Sequence, residues 1–447
     1  MKRFIKPFLS TLMIMVVLLL YVLTIRGISG APVTSDIKNN LDQAARPLEL
    51  SPERGRYALI MSLMTRGRFD LDSELAEAVY PDVGWYDGRF YILFAPGISL
   101  MAIPLYLIGL QLGIPQVASF FLSSLFATLC AVVIYKISRN IFSLPNWLSL
   151  FASLSYCFGS ISWVYAVSLY QHQATTFFIL SGIYAVWKYG QKTRHSWMYS
   201  AYVWLIYALS ISIDTPNALL FAPVILYMAL TSISLTNVKN RWELKLRLTA
   251  AFTSLIFVVG MLLHGYYNMI NFGGWTKLSG GLIDYKTIKE RNLLSTTSGQ
   301  TEIEKIESNI NPAKFFSEED FPFGLYTQTV SGDRGLILYS PLFVLGLLGI
   351  IGYIKRLTLV TGIMVTNVLV VLFLYSSWGD PWGGWAYGPR YMISVMGLLS
   401  PFLASWIYAS RGRISLFLKK SIALVLFIYS SAVALLGALT TSTIPPK

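Results

Sequence analysis

Eleven apolar stretches recur along the 447-residue chain, and they decide what it can fold into. They lie near 7–25, 117–135, 147–167, 174–189, 197–213, 218–235, 249–267, 337–354, 357–375, 391–409 and 421–440. Stretches of about 20 such residues match the roughly 30 Å hydrocarbon core of a bilayer. In lipid each backbone N–H and C=O must be satisfied within its own segment, so long continuous runs become helices. A β-barrel would show short alternating segments instead. Charged residues are 13% of the chain against about 25% in a soluble domain, which excludes a soluble enzyme and a disordered chain. Cys130 and Cys157 both lie inside apolar stretches and read as small buried hydrophobes, not as a bridge or a metal site. The expected fold class is an all-α polytopic membrane protein with about 11 transmembrane helices.

Charge sets the orientation. The N-terminus reads MKRFIK before the first apolar run, without a convincing small-residue cleavage signal, so the first helix is expected uncleaved with its N-terminus in the cytoplasm. The stretch 91–115 is apolar enough to cross but is broken by Pro96, Gly97, Pro104, Gly109, Gly113 and Pro115. If it does not cross, the segments 1–6, 136–146, 188–196, 236–248, 355–356 and 410–420 face inward. They hold 18 Lys and Arg against one acid, Glu243, leaving 17 against 21 outside; the balances of +17 and −4 give the net +13. If it does cross, five basic loops flip outward, against the tendency of Lys and Arg to collect in cytoplasmic loops. The stretch is therefore expected to lie at the outer interface or to dip in as a hairpin. The chain divides into a transmembrane module, 1–270, containing a large external segment, 26–116; a second external segment, 271–336; and C-terminal helices, 337–447.

The outer segments carry the chemistry. ERGRYALIMSLMTRGRF places Tyr57, Ile60, Leu63 and Met64 on one helical stripe, with Arg56, Ser62, Arg66 and Arg68 largely off it. It reads as an amphipathic helix resting on the outer leaflet. The next stretch carries Asp70, Asp72, Glu74, Glu77, Asp82 and Asp87. Carboxylates at a membrane surface can act as general bases or hold a metal ion, and the plainer reading is a solvated acidic loop. SSWGDPWGGWAYGPR, at 376–390, carries Asp380 and ends on Arg390, at the outer end of an apolar helix beside a Gly-rich turn. There a guanidinium can hold a lipid phosphate bidentately, or simply snorkel. Arg334, in SGDRGLILYSP, is placed similarly, with Asp333 beside it as an ordinary salt-bridge partner. His172 lies in a short external loop, Asp214 starts a turn for which capping is sufficient explanation, and His264 falls within the seventh span. No nucleotide-binding glycine loop and no histidine metal spacing is present.

These phrases resemble a known group. RYALIMSLMTRGRFDLD, DGRFYILFAPGISLMAIPLYLIG, RGLILYSPLF and WGGWAYGPRY, in a chain whose first span precedes a long acid-bearing external loop, resemble the GT-C superfamily of integral-membrane glycosyltransferases. The likeness is strongest to relatives of the dolichyl-phosphate-mannose–protein mannosyltransferases and the aminoarabinose transferases. It makes the first module GT-C-like, with interfacial helices in its external loop. It implies a sugar on a polyprenyl phosphate as donor and a glycan, lipid or protein acceptor. The active site would lie on the external face of a bacterial-type inner or plasma membrane, with no nucleic acid involved. By position, Asp36, Asp82 and Glu53 become the candidate carboxylates, Arg390 and Arg334 the phosphate ligands, and Arg56, His172 and Asp380 accessory or acceptor-side residues. No cofactor is required, although a divalent metal could serve. The sequence lacks a clean Asp-Glu pair at the first position and has APG where many relatives have a Lys-Pro-Pro type phrase. The competing reading is a lipid or glycan transporter or flippase, which would favour charges within the spans and internal symmetry. Neither is evident.

Overall fold

The computed structural model describes residues 2–25, 48, 50–238, 241–293, 302–303, 305–306, 316, 319–410 and 412–440. About 74% of the described residues are helical, in agreement with the all-α class. In chain order the helices that matter here are α1 (Lys2–Thr24), α2 (Ser51–Arg66), α3 (Ser73–Val79), α4 (Gly97–Leu112), α5 (Pro115–Asn140), α6 (Asn146–Phe158), α7 (Ser162–Ala166), α8 (His172–Gly190) and α9 (Ser196–Ile213). They continue with α10 (Ala222–Ser232), α11 (Leu255–Phe272), α12 (Val344–Tyr353), α13 (Leu359–Ser376), α14 (Ile393–Tyr408) and α15 (Arg413–Leu439). Among the described residues six helices are long and apolar enough to cross a membrane: α5, α9, α13, α15, and the extended runs Thr249–Phe272 and Arg390–Tyr408.

Local chemistry breaks several of the expected spans. The stretch 147–167 splits into α6 and α7, where the Ser160 hydroxyl donates to the Tyr156 carbonyl and accepts from the Ser162 N–H at 3.1 Å. The stretch 337–354 begins as the single turn Leu336–Tyr339, and Pro341, with no N–H to give, separates that turn from α12. The run 218–235 stops at Ser232, and the basic segment after it is an antiparallel hairpin, β3 (Ile233–Val238) with β4 (Arg241–Leu246). Helix α15 starts earlier than expected and carries Lys419 and Lys420. Both snorkel: Lys419 donates to the Trp406 carbonyl at 2.8 Å, and Lys420 lies 4.6 Å over Trp147.

The disputed stretch 91–115 starts and ends on one side. At its beginning Gly97 packs against the Ser212–Ile213 backbone at the end of α9, and Ser99 donates to the Arg56 carbonyl. At its end Gly113, in the left-handed region, turns directly into α5. In α5, Ser124 donates to the Ala166 carbonyl at 2.6 Å and Asn140 donates to the Tyr184 hydroxyl near the far end of α8. The first residues of α5 therefore lie on the same side as Gly97.

On that side a small sheet joins the segment after α1 to the segment after α11. Strand β1 (Val83–Tyr86) pairs with β2 (Arg89–Ile92) through the turn residues Asp87 and Gly88, both at positive φ. Its other edge takes β5 (Ile283–Asp284), with Gly84 opposite Asp284 and Trp85 opposite Ile283. Tyr285 donates to Glu77 at 3.0 Å and Lys289 lies 3.1 Å from the same carboxylate. The expected amphipathic helix α2 is not laid on a leaflet. Pro52 to Ile60 are all buried, Arg56 included. The helix is wedged between this sheet and the helix ends, so its polar side finds partners inside the protein.

The transmembrane core is assembled by small residues. In α12, Gly349 sits against the Phe402 carbonyl of α14 and Gly346 against Leu399. A side chain at 349 has no room, whereas Gly352, one turn on, has none of the protein within 4 Å of a built Cβ. Gly349→Val is expected to destabilise the protein by about 1–3 kcal/mol, and Gly352→Val to be near neutral. Thermal unfolding of both variants in detergent checks this, and equal melting temperatures would refute the packing account.

Candidate functional site

The start of α2, the start of α8, the end of α9 and the segment leading into α14 meet in one polar cluster. Arg56 is 1% exposed, and its guanidinium donates to the Pro52 carbonyl at 3.0 Å and to Gln171 Oε1 at 2.6 Å. Gln171 passes the link on, its amide donating to Asp214 Oδ2 at 3.2 Å. Arg56 also lies 4.8 Å from the Phe94 ring centroid and 5.7 Å from that of Tyr170. Burial pulls the Arg56 guanidinium down to about 10, against the opposing pull of Asp214, so it stays charged at neutral pH. Burial holds the Asp214 carboxyl above the usual carboxylate range while Arg56 and Gln171 draw it back.

Tyr170 is shared by two cations, because Arg390 lies 6.0 Å from the same ring, as well as 5.1 Å from Tyr391. His172 is wrapped in aromatic rings: Tyr165 at 5.5 Å, Tyr170 stacked at 5.9 Å and Tyr391 at 6.1 Å. Glu53, 1% exposed, acts electrostatically on Tyr170 and Tyr165, and Arg334 acts on Tyr165 together with Arg390. Arg334 donates to the Ala386 carbonyl at 2.8 Å and lies 3.7 Å over the Trp382 ring. The expected salt bridge to Asp333 does not form. The Asp333 carbonyl accepts from Tyr339, and Arg334 turns into the protein.

Several buried polar atoms of this cluster have no hydrogen-bond partner among the described residues: the Tyr170 hydroxyl, His172 Nε2, Arg390 Nε, and Arg334 Nε and Nη2. Buried polar atoms are nearly always paired in native proteins, and this unpaired set, mostly N–H donors, has the chemistry to meet an anion.

The structure sorts the sequence candidates. Glu53, Arg56, His172, Arg334 and Arg390 come together. Asp82 lies to one side and accepts from the Ser51 hydroxyl, with an electrostatic reach to Arg54 and Arg56. Asp380 is exposed on the rim, where its carboxylate accepts from the Gly383 N–H at 3.1 Å. Asp36 lies outside the described residues. Other acids of the first segment have structural work: Asp70 pairs with Arg68 at 2.8 Å, Asp72 caps α3 and Glu77 ties down β5's neighbours. Asp214, Gln171, Tyr165, Tyr170 and Tyr391 belong to the cluster although sequence reasoning left them out. Their common signal is a polar or tyrosine residue at the end of an apolar helix. Among the described residues no three His, Cys, Asp or Glu side chains gather to hold a metal ion.

An apolar groove of about 580 Å³ runs from the edge of this cluster between α4, α9 and α11. Leu100, Leu205, Leu209, Val259 and Leu263 line it, and Pro96 and Ser212 are at one end. Two residues from them, Phe94 underlies Arg56 and Asp214 accepts from Gln171.

His172 precedes its apolar span, and burial first, then Arg390 and Arg56, hold it well below its ordinary 6.5. The folded state keeps it neutral while the unfolded chain takes up a proton below 6.5. Stability from this group is therefore present above that pH and is lost as pH falls, by at most about 1.4 kcal/mol per pH unit. The melting temperature is expected to fall from pH 7.5 to 5, with a shallower fall in His172→Gln. Parallel curves for the two proteins would remove His172 as the cause.

No protein family and no curated protein matches the chain. Solved structures do. The Archaeoglobus fulgidus oligosaccharyltransferase tethered to an acceptor peptide containing the NVT sequon overlays 97% of this chain at 12% identity and a TM-score of 0.56. The same organism's AglB, in complex with an inhibitory peptide and a dolichol-phosphate, overlays 97% at 13% identity and a TM-score of 0.50. ArnT from Cupriavidus metallidurans, in the apo state, overlays 96% of this chain and 75% of its own at 12% identity and a TM-score of 0.47. The chain spans about half of AglB, 56% of its length. The fold of this integral membrane protein is that of the membrane-embedded part of the Archaeoglobus fulgidus oligosaccharyltransferase.

Proposed function

We propose that the chain is a glycosyltransferase that moves a sugar from a polyprenyl-phosphate donor to an acceptor hydroxyl at the outer face of the membrane. One pairing of features supports the reading: a buried cluster in which Arg390 and Arg334 keep unpaired N–H groups, and an apolar groove whose end residues Pro96 and Ser212 lie two positions from Phe94 and Asp214 of that cluster. A lipid phosphate needs both features together, cations for its head and an apolar channel for its tail. AglB, which shares the fold, was captured with dolichol-phosphate, and the same donor class suits this cluster.

In the proposed reaction the acceptor oxygen attacks the anomeric carbon, and the bond from that carbon to the phosphate oxygen breaks. The lipid phosphate departs with the electron pair. Arg390 and Arg334 take up the charge that develops on it, and the acceptor proton passes to a carboxylate. Asp36 is our choice for that carboxylate by its distance from the first span. Glu53 and Asp82 are the alternatives, while Arg56 and Asp214 fix the ends of α2 and α9 around the donor. His172, neutral and ringed by tyrosines, can offer Nε2 to a sugar hydroxyl.

The test is purified protein in nanodiscs with a panel of polyprenyl-phosphate sugars, followed by release of the lipid phosphate. One sugar is expected to turn over, and Asp36→Asn to slow it by about 10²–10⁴-fold. Full activity of Asp36→Asn moves the base to Glu53 or Asp82. Failure of every donor in the panel, with the protein folded, overturns the reading.

A further inference from the structure

A second built pocket lies at the other end of the helices that carry the cluster. Helix α8 begins with His172 in the cluster and ends at Gly190, and α9 runs back from Ser196 to the Asp214 turn. At 1.5 Å per residue these helices place the Gly190–Ser196 connection about 27 Å away from the cluster. There Lys192, Arg194, Ser196, Trp197, Arg247 and Thr249 line a cavity of about 310 Å³.

Arg247 is held in this cavity. One of its N–H groups donates to the Tyr189 carbonyl at 2.9 Å, and the guanidinium lies 4.9 Å from the Tyr189 ring centroid. Tyr189 is itself buried, its hydroxyl 3.1 Å from those of Ser232 and Thr249. That leaves Arg247 Nη2 buried with no partner among the described residues. Lys192 and Arg194 are exposed, and no ion pair among the described side chains involves either of them or Arg247. Three cations thus surround one cavity, and among the described side chains no anion pairs with them. Its apolar side is Trp197, which lines the cavity and is exposed, with exposed Leu248 next in sequence to Arg247 and Thr249.

We infer that this pocket seats the phosphate of an anionic phospholipid in the leaflet opposite the cluster, with Arg247 as the fixed ligand and Lys192 and Arg194 as the flanking charges. A free phosphate has no use for the apolar side, whereas acyl chains do. A zwitterionic headgroup would bring its own cation against three others. Basic pockets at helix ends are the recognised setting for such lipids, and each cation near the surface contributes about 1 kcal/mol, or roughly fivefold in affinity.

The experiment is native mass spectrometry of the delipidated full chain with added phosphatidylglycerol, phosphatidylcholine or inorganic phosphate. Phosphatidylglycerol is expected to be retained in preference to the other two. Retention is expected to weaken roughly fivefold in Arg247→Gln and about 30-fold in the Lys192→Gln/Arg194→Gln pair, whose exposed positions spare the fold. Equal retention of phosphatidylcholine, inorganic phosphate competing as well as the lipid, or unchanged binding by the exposed pair would each overturn the assignment.

Discussion

Arg390→Gln is expected to leave the protein folded and to cut donor turnover by about 10²–10³-fold, the usual cost of removing one preorganised donor from a developing negative charge. The side chain enters from the start of the run Arg390–Tyr408, and its guanidinium is fixed against Tyr170 and Tyr391 with Nε unpaired. If that N–H faces the departing phosphate, the loss falls mainly on kcat. Arg390→Lys should recover only a small part, because an ammonium offers a point charge where a planar fork is held between rings. Turnover of the identified donor by the glutamine variant at more than a tenth of the wild-type rate would remove Arg390 from the phosphate site. Melting temperature measured on the same samples separates that result from misfolding.

The second large effect concerns Arg56. Its charge is fully buried and linked through Gln171 to Asp214, so Arg56→Met strands a carboxylate in a poorly solvated place. Breaking a buried charged arrangement from one side costs about 3–5 kcal/mol. Most of that cost is the abandoned partner, so adding Asp214→Asn to Arg56→Met is expected to restore much of the stability. The coupling is read from unfolding of the wild type, both single variants and the double variant. Strict additivity would mean that Arg56 and Asp214 do not act as a unit.

Much of this architecture was legible in the sequence, because its causes are local or one-dimensional. Long apolar runs and the placement of Lys and Arg pointed to a polytopic helical chain. The balance of Lys and Arg among the loops pointed to a stretch 91–115 that does not cross, and the structure brings both of its ends to one side. Glu53, Arg56, His172, Arg334 and Arg390 were singled out, and they meet. What was not legible depends on partners far away in sequence. The stripe of Tyr57, Ile60, Leu63 and Met64 looked like a membrane-facing helix because the chain does not announce that Tyr80, Gln171 and Asp70 will meet the polar residues Arg54, Arg56 and Ser62. Asp214 looked fully explained as a turn residue because Gln171 and Arg56, 43 and 115 residues from their partners in the relay, are invisible in any local window. Asp333 beside Arg334 suggested an ion pair, yet the planar guanidinium found the Trp382 face and the Ala386 carbonyl instead.

The edge strand β5 has a temporal consequence. Val83–Tyr86 and Arg89–Ile92 leave the ribosome early, whereas Ile283–Asp284 follows only after nearly two-thirds of the chain has been made. Until then one border of the outer sheet offers unmatched backbone groups, and Glu77 lacks Tyr285 and Lys289. The platform beneath Arg56 is therefore completed late in biosynthesis, once the helices through α11 have been made. A nascent chain arrested before residue 283 would carry many of its membrane helices but an unfinished sheet.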